Sequence, residues 1–229
     1  MEDCKCFNRV THIIFDLDGT LVDTEFIYEK LFSELVSKYG KFLSTSMKFR
    51  IQGSPASTSL RFLIEKLELP ITFEDFSMEF KQLVVKRLCK LKLMKGAQRL
   101  IQHFHRHNIP MAIGTSSDAD LVELKTSSHS ELFKLIHHIV TATDVLNGKP
   151  SPDIFLLAAK KFPDHPRPEM CLVFEDSPNG VEAARAANMQ CVMIPDERIP
   201  TEQRQQATLA LQSLADFQPE TFGLPPFDE

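Results

Sequence analysis

No run of apolar residues in this 229-residue chain approaches the roughly 20 needed to cross a bilayer, so no spanning helix is expected. The first residues, Met1 to Arg9, are polar and lack the hydrophobic stretch of a secretory leader. Cysteine is sparse and odd in number. Cys4, Cys6, Cys89, Cys171 and Cys191 are scattered, which argues against a disulfide framework and for reduced thiols in a cytoplasmic protein. Cys4-Lys5-Cys6 is at most half a metal site, because no second pair of suitable spacing follows. Positive charge is not in excess: the net charge is −5, so neither nucleic acid polymers nor anionic membranes are attracted in general. An anionic ligand therefore needs a local positive group. Tryptophan is absent, without functional message, and neither internal repeats nor low-complexity tracts occur.

What is present is ordinary for a globular protein, with 43% hydrophobic and 25% charged residues. The length suits one main domain with a smaller insert. Val10 to Phe15 is a short apolar run rich in β-branched residues and bounded by Asp18-Gly19, which reads as a buried strand. Similar runs lie at Pro110 to Gly114, His138 to Ala142, Cys171 to Phe174 and Gln190 to Ile194. Helical patterns alternate with them, over Ala97 to His107, from Ser151-Pro152 to Phe162, and from Ser177-Pro178 to about Asn188. This alternation predicts an α/β fold with a parallel sheet flanked by helices. Between the first two strands the pattern is wholly helical. Glu25 to Tyr39 ends at Gly40, Leu60 to Leu67 follows, and Phe73 to Leu91 opens with a capping-box-like Thr72 and Asp75. The expected division is a core of residues 1–23 and 93–229 with a small all-helical cap inserted at 24–92.

The sharpest local feature is Asp16-Leu17-Asp18-Gly19-Thr20 at the end of the first strand, where both carboxylates can reach one site. Alone it reads equally well as a solvated turn. A second acidic pair, Glu175-Asp176, stands at the end of another strand, and carboxylates converging there repel unless a cation intervenes. Magnesium suits such an oxygen set. Thr115-Ser116-Ser117 supplies hydroxyl and N–H donors after the second strand, and Lys149 a compact positive charge after the third.

Taken in order, Asp16-x-Asp18-Gly19-Thr20, Thr115, Lys149 and Glu175-Asp176 resemble the four motifs of the haloacid dehalogenase superfamily. The helical insert resembles its C1-type cap. The resemblance implies a Rossmann-like core and magnesium-dependent hydrolysis of a small phosphorylated metabolite through an aspartyl phosphate. It implies Asp16 as nucleophile and Asp18 as general acid/base. Magnesium would sit on Asp16, Asp18 and Asp176 with Glu175 in support, and Thr115, Ser116 and Lys149 would bind phosphoryl oxygens. Lys149 would also hold Asp16 ionised. A monomer is permitted.

A mutase is less favoured, since neither Ser54-Pro55 after Gly53 nor Asp118-Ala119-Asp120 supplies the basic residue a second phosphate needs. A non-catalytic binding protein is disfavoured too, because no motif carboxylate is missing. Further stretches (Asp23-Thr24-Glu25, Lys125-Thr126-Ser127-Ser128-His129, Phe217-Gln218-Pro219-Glu220) resemble the pseudouridine-5′-phosphatase group. Relatives of that group act on glycerol 3-phosphate and 2-deoxysugar phosphates. Tyr28, Gly53 and Ser54 are the candidate substrate contacts of the cap. His103 and His107 share a helix face, for which a solvated helix end is the expectation rather than a metal site.

Overall fold

The computed structural model describes residues 7–228 apart from 52, 53, 55 and 89. Cys4, Cys6, Cys89 and the cap glycine Gly53 thus lie outside the described residues. The elements in chain order begin with β1 (His12–Phe15), α1 (Glu25–Ser37), α2 (Thr45–Ile51), α3 (Ala56–Leu67) and α4 (Phe73–Leu88). Then come α5 (Ala97–Arg106), β2 (Met111–Gly114), α6 (Ala119–Thr126), α7 (Ser130–Phe133), β3 (His138–Val140) and α8 (Asp153–Lys160). The chain continues through β4 (Cys171–Glu175), α9 (Pro178–Ala186), β5 (Gln190–Met193), α10 (Thr201–Arg204) and β6 (Leu209–Ala210). Two units result: residues 1–22 with 92–229, and residues 23–91.

The first unit is a six-stranded parallel sheet in the order β3-β2-β1-β4-β5-β6. This is the flanked parallel sheet that the alternation of strands and helices predicts. Its strands are apolar at nearly every position because both faces are covered. Ile14, Val173, Cys191 and Met193 point to one face, where they pack with Phe155 and Ala158 of α8 and Val181 and Ala184 of α9. The other face is aromatic. The rings of Phe15 and Phe174 stack 5.1 Å apart, Phe104 of α5 lies 6.4 Å from Phe15, and Phe217 meets Phe174 edge-on at 4.9 Å. The register places Phe15 opposite both Ile113 and Phe174, so the chain leaves β1, β2 and β4 at one level.

Several element ends differ from the sequence pattern. Ser151-Pro152 predicts a serine cap, yet Pro152 takes the cap position and α8 starts at Asp153. The Ser151 hydroxyl donates to Asp153 Oδ1 at 2.6 Å instead, a local bond that competes with capping. At α9 the expected cap forms, with the Gly180 N–H donating to Ser177 Oγ at 3.1 Å. β3 stops at Val140 because Thr141 and Asp144 close a capping box that turns the chain into a short 3-10 helix. β6 has two residues, too few to leave a periodic signal.

The second unit contains helices and no strand among its described residues. Thr72 caps α4 as its sequence indicates, accepting from the Asp75 N–H at 3.2 Å and donating to Asp75 Oδ2 at 2.7 Å. α4 ends at Leu88 rather than Leu91, and α1 at Ser37 rather than Tyr39, with Gly40 beyond it at φ +68°. The seven-residue α2 has no apolar stripe long enough to announce it. Phe32 of α1 stacks on Phe80 of α4 at 4.9 Å, joining these two helices.

Phe104 is fully buried between Phe15 and Phe217. Phe104→Ala is expected to destabilise the sheet unit by about 3–5 kcal/mol, read from urea unfolding followed by near-UV absorbance and circular dichroism.

Candidate active site

Asp16 is the first residue beyond β1, and its N–H donates to the Phe174 carbonyl of β4 at 2.8 Å. This bond holds the start of the Asp16–Gly19 loop against the strand that ends in Glu175. Lys149 spans the two acids, its Nζ donating to Asp16 Oδ1 at 2.5 Å and to Glu175 Oε1 at 2.7 Å. None of these three side chains is more than 8% exposed. Glu175 Oε2 accepts from the N–H groups of Asp176 (2.9 Å) and Ser177 (2.8 Å) and from Ser177 Oγ (2.9 Å). Those N–H groups precede α9 and have no helical partner, so a carboxylate satisfies them.

Two glycines make the packing possible. A Cβ on Gly180 would lie 1.7 Å from Glu175 Oε1, so only glycine lets α9 pass over that carboxylate. Gly19, at φ +76°, would place a Cβ 2.2 Å from Asp176 Oδ2, so its absence admits Asp176 beside the loop. Asp16, Glu175 and Asp176 each bring a carboxylate oxygen to within 4.8 Å of the others.

Three carboxylates face one lysine. Burial pushes the Asp16 carboxyl up to about 7, with Lys149 pulling it down and Glu175 and Asp18 pushing it further up. For Lys149 burial acts against the charge, but Asp16 and Glu175 outweigh it and raise the ammonium above its ordinary range. Lys149 thus stays charged and draws the Asp16 carboxyl downward against the effect of burial. Three carboxylates whose oxygens lie within 4.8 Å of one another fit a hard divalent cation such as magnesium.

Asp18 belongs to a separate arrangement. Lys125 Nζ lies 2.6 Å from Asp18 Oδ1 and 2.8 Å from Oδ2, and Ser117 Oγ donates to Oδ2 at 2.7 Å. Lys125 Nζ also donates to Ser117 Oγ at 2.7 Å. The Lys125 side chain is 1% exposed. Sequence reasoning placed Lys125 in a family-like stretch and Ser117 among the donors after the second strand, without linking either to Asp18; the side of α6 that Lys125 occupies appears only on packing. Thr115 is buried at the end of β2, its N–H donating to Val140 O and its Oγ1 accepting from the Ser117 N–H at 3.1 Å. Ser116 is exposed. Tyr28 and Ser54 lie in the second unit, Tyr28 on α1 with its ring 6.3 Å from Phe80, and Ser54 just beyond α2 with its N–H on Ile51 O.

Comparison with known proteins places this geometry. Residues 13–194 match the model of the haloacid dehalogenase-like hydrolases. A probable pseudouridine-5′-phosphatase of Drosophila melanogaster is 45% identical over 98% of this chain and 99% of its own length. A (DL)-glycerol-3-phosphatase of Arabidopsis thaliana is 40% identical over 96% of this chain and 94% of its own. Among solved structures, CbbY from Rhodobacter sphaeroides in complex with phosphate superposes with a TM-score of 0.76 at 25% identity, covering 90% of this chain and 96% of that one.

The raised Asp16 carboxyl sets a pH dependence for the metal-free protein. A carboxyl with ordinary value 3.8 and a folded value near 7 contributes stability below 3.8 that is lost as pH rises through 7. In chelator, Asp16→Asn is therefore expected to melt above the unsubstituted protein at about pH 8, with the gap closing as pH falls toward about 4. Thermal melts across that range check it; a pH-independent gap would contradict it.

Proposed function

The chain belongs to the haloacid dehalogenase-like hydrolases and is a phosphoric monoester hydrolase, and we propose that Asp16 is the nucleophile of a magnesium-dependent, two-step reaction. The observation that carries this reading is the buried Lys149 bridging Asp16 and Glu175, with Asp176 alongside, at the level where β1 and β4 end.

In the first step an Asp16 oxygen attacks phosphorus, and the bond from phosphorus to the leaving oxygen breaks with its electron pair. Asp18, entering this step in its protonated form, gives that proton to the leaving oxygen. In the second step Asp18 takes a proton from water, the water oxygen attacks phosphorus, and the Asp16–phosphorus bond breaks to restore the carboxylate. The net change is monoester plus water to alcohol plus phosphate. Lys149 and the donors of Thr115 and Ser116 hold the phosphoryl oxygens as charge develops on them. Bound at Asp16, the Asp18 backbone carbonyl and Asp176, with Glu175 in support, magnesium would supply the neutralising charge that lets an anionic phosphate approach three carboxylates. Lys125 and Ser117 are positioning residues, fixing Asp18 through both of its oxygens.

The helical unit of residues 23–91 is read as a cap that sets leaving-group preference, with Tyr28, Gly53 and Ser54 as its contact residues. The substrate is a small sugar or nucleotide phosphate. Pseudouridine 5′-phosphate is the first choice, given the 45% relative over the whole length. Glycerol 3-phosphate is the second reading, favoured by a 40% relative of equal extent.

Asp16→Asn is expected to retain the circular dichroism of the parent and to lose at least roughly three orders of magnitude of p-nitrophenyl phosphate hydrolysis in magnesium. Activity should vanish in chelator and return with magnesium. Substantial turnover by the variant would refute the nucleophile assignment, and a panel of monoesters including both named candidates decides the substrate.

Lys125→Met is expected to lower kcat by roughly 100-fold with KM little changed, because the acid/base group loses its alignment rather than the substrate its binding. A rise in KM at constant kcat would place Lys125 in substrate binding instead.

A further inference from the structure

Away from the carboxylate centre, α5 carries His103 and His107 one turn apart, with ring centroids 4.5 Å from each other. The sequence favoured a solvated helix end. In the fold His103 is completely buried. Its Nε2 stands 2.9 Å from the Pro225 carbonyl oxygen. A carbonyl oxygen only accepts, so Nε2 carries the proton and Nδ1 the free lone pair. That Nδ1 is shielded from solvent and has no hydrogen-bond partner among the described residues. A buried acceptor without a donor is costly, and a cation is one group that satisfies it.

The chain end completes the cluster. Asp228 places Oδ2 3.1 Å from Arg106 Nη2, while its Oδ1 faces His107 Nε2 at 3.9 Å. One nitrogen of each histidine and one Asp228 oxygen lie within 4.8 Å of one another. The segment is seated by Phe227, whose ring lies 4.6 Å from His103 and carries the Arg99 guanidinium 3.6 Å above it.

We propose that His103, His107 and Asp228 form a second metal site, for a borderline divalent cation of the zinc class. Two imidazoles and one carboxylate are the donors zinc prefers, in contrast to the all-oxygen magnesium set. The histidine–carbonyl bond to Pro225 is the outer contact that usually orients a ligating imidazole. Zinc bonds of about 2.0–2.1 Å draw the three ligand atoms closer together than they stand here. The exposed Asp228 side chain has the freedom to close that distance while Arg106 gives up its hold. Water completes the coordination. Bound metal would clip the 225–228 segment to α5.

The test titrates zinc into the full-length protein, freed of metal by chelator and kept in excess magnesium to fill the carboxylate centre. Calorimetry gives affinity and thermal melts give stability, with His107→Gln and Asp228→Asn as comparisons; neither residue takes part in the proposed catalysis. Expected are a zinc-dependent rise in Tm and an affinity that each variant weakens by at least the roughly tenfold that even an outer-shell loss costs. Zinc affinity unchanged in both variants would assign the binding to other groups and overturn the proposal. So would the absence of zinc binding, or of a Tm rise, in the parent.

Discussion

A buried ammonium between two buried carboxylates is the constraint around which the sheet unit is arranged. Lys149 comes from the loop after β3, Asp16 from the end of β1 and Glu175 from the end of β4, and none of them is tolerable at that depth alone. Their meeting requires β1 beside β4 at matched register, which the Phe15–Phe174 pairing supplies. It also requires α9 to start directly over Glu175, hence the cap at Ser177, the N–H groups of Asp176 and Ser177 that donate to Glu175, and a glycine at 180. Replacing any of these leaves a charge in the interior with a missing partner.

The site divides its charge unevenly. Asp18 is matched by Lys125, one carboxylate to one ammonium, with Ser117 taking part in both contacts. Asp16 and Glu175 share Lys149 with Asp176 close by, and burial with the neighbouring carboxylates drives the Asp16 carboxyl upward. A hard cation is the natural complement of such an oxygen-rich pocket, while Asp18 is held by Lys125 and Ser117. The histidine cluster on α5 follows the opposite logic, with one negative group and neutral nitrogen donors, and so addresses a softer ion.

Much of this was legible in the residue order. Strand ends announce themselves where an apolar run meets an acidic or hydroxyl pair, as at Phe15-Asp16, Gly114-Thr115 and Phe174-Glu175. Parallel sheets collect those ends on one side, which made convergence of Asp16 with Glu175-Asp176 foreseeable. Lys125 was not foreseeable in the same way, because its partner lies 107 residues away and its helix face is revealed only by packing. Ser151 misled because a nearby carboxylate captured the hydroxyl that a cap would have used. His103 misled because the chain end, which covers it, carries no periodic signal.

The sequence alone determined the alternation of strands and helices, the helical character expected for residues 24–92 and the identity of the acidic motifs, since these depend on local periodicity and on side chains close in the chain. Only the tertiary structure decided which ammonium serves which carboxylate, that burial raises Asp16, and that His103 has a lone pair with no donor among the described residues. Those outcomes depend on desolvation and on distances across the fold. Neither quantity exists until segments remote in sequence have packed together.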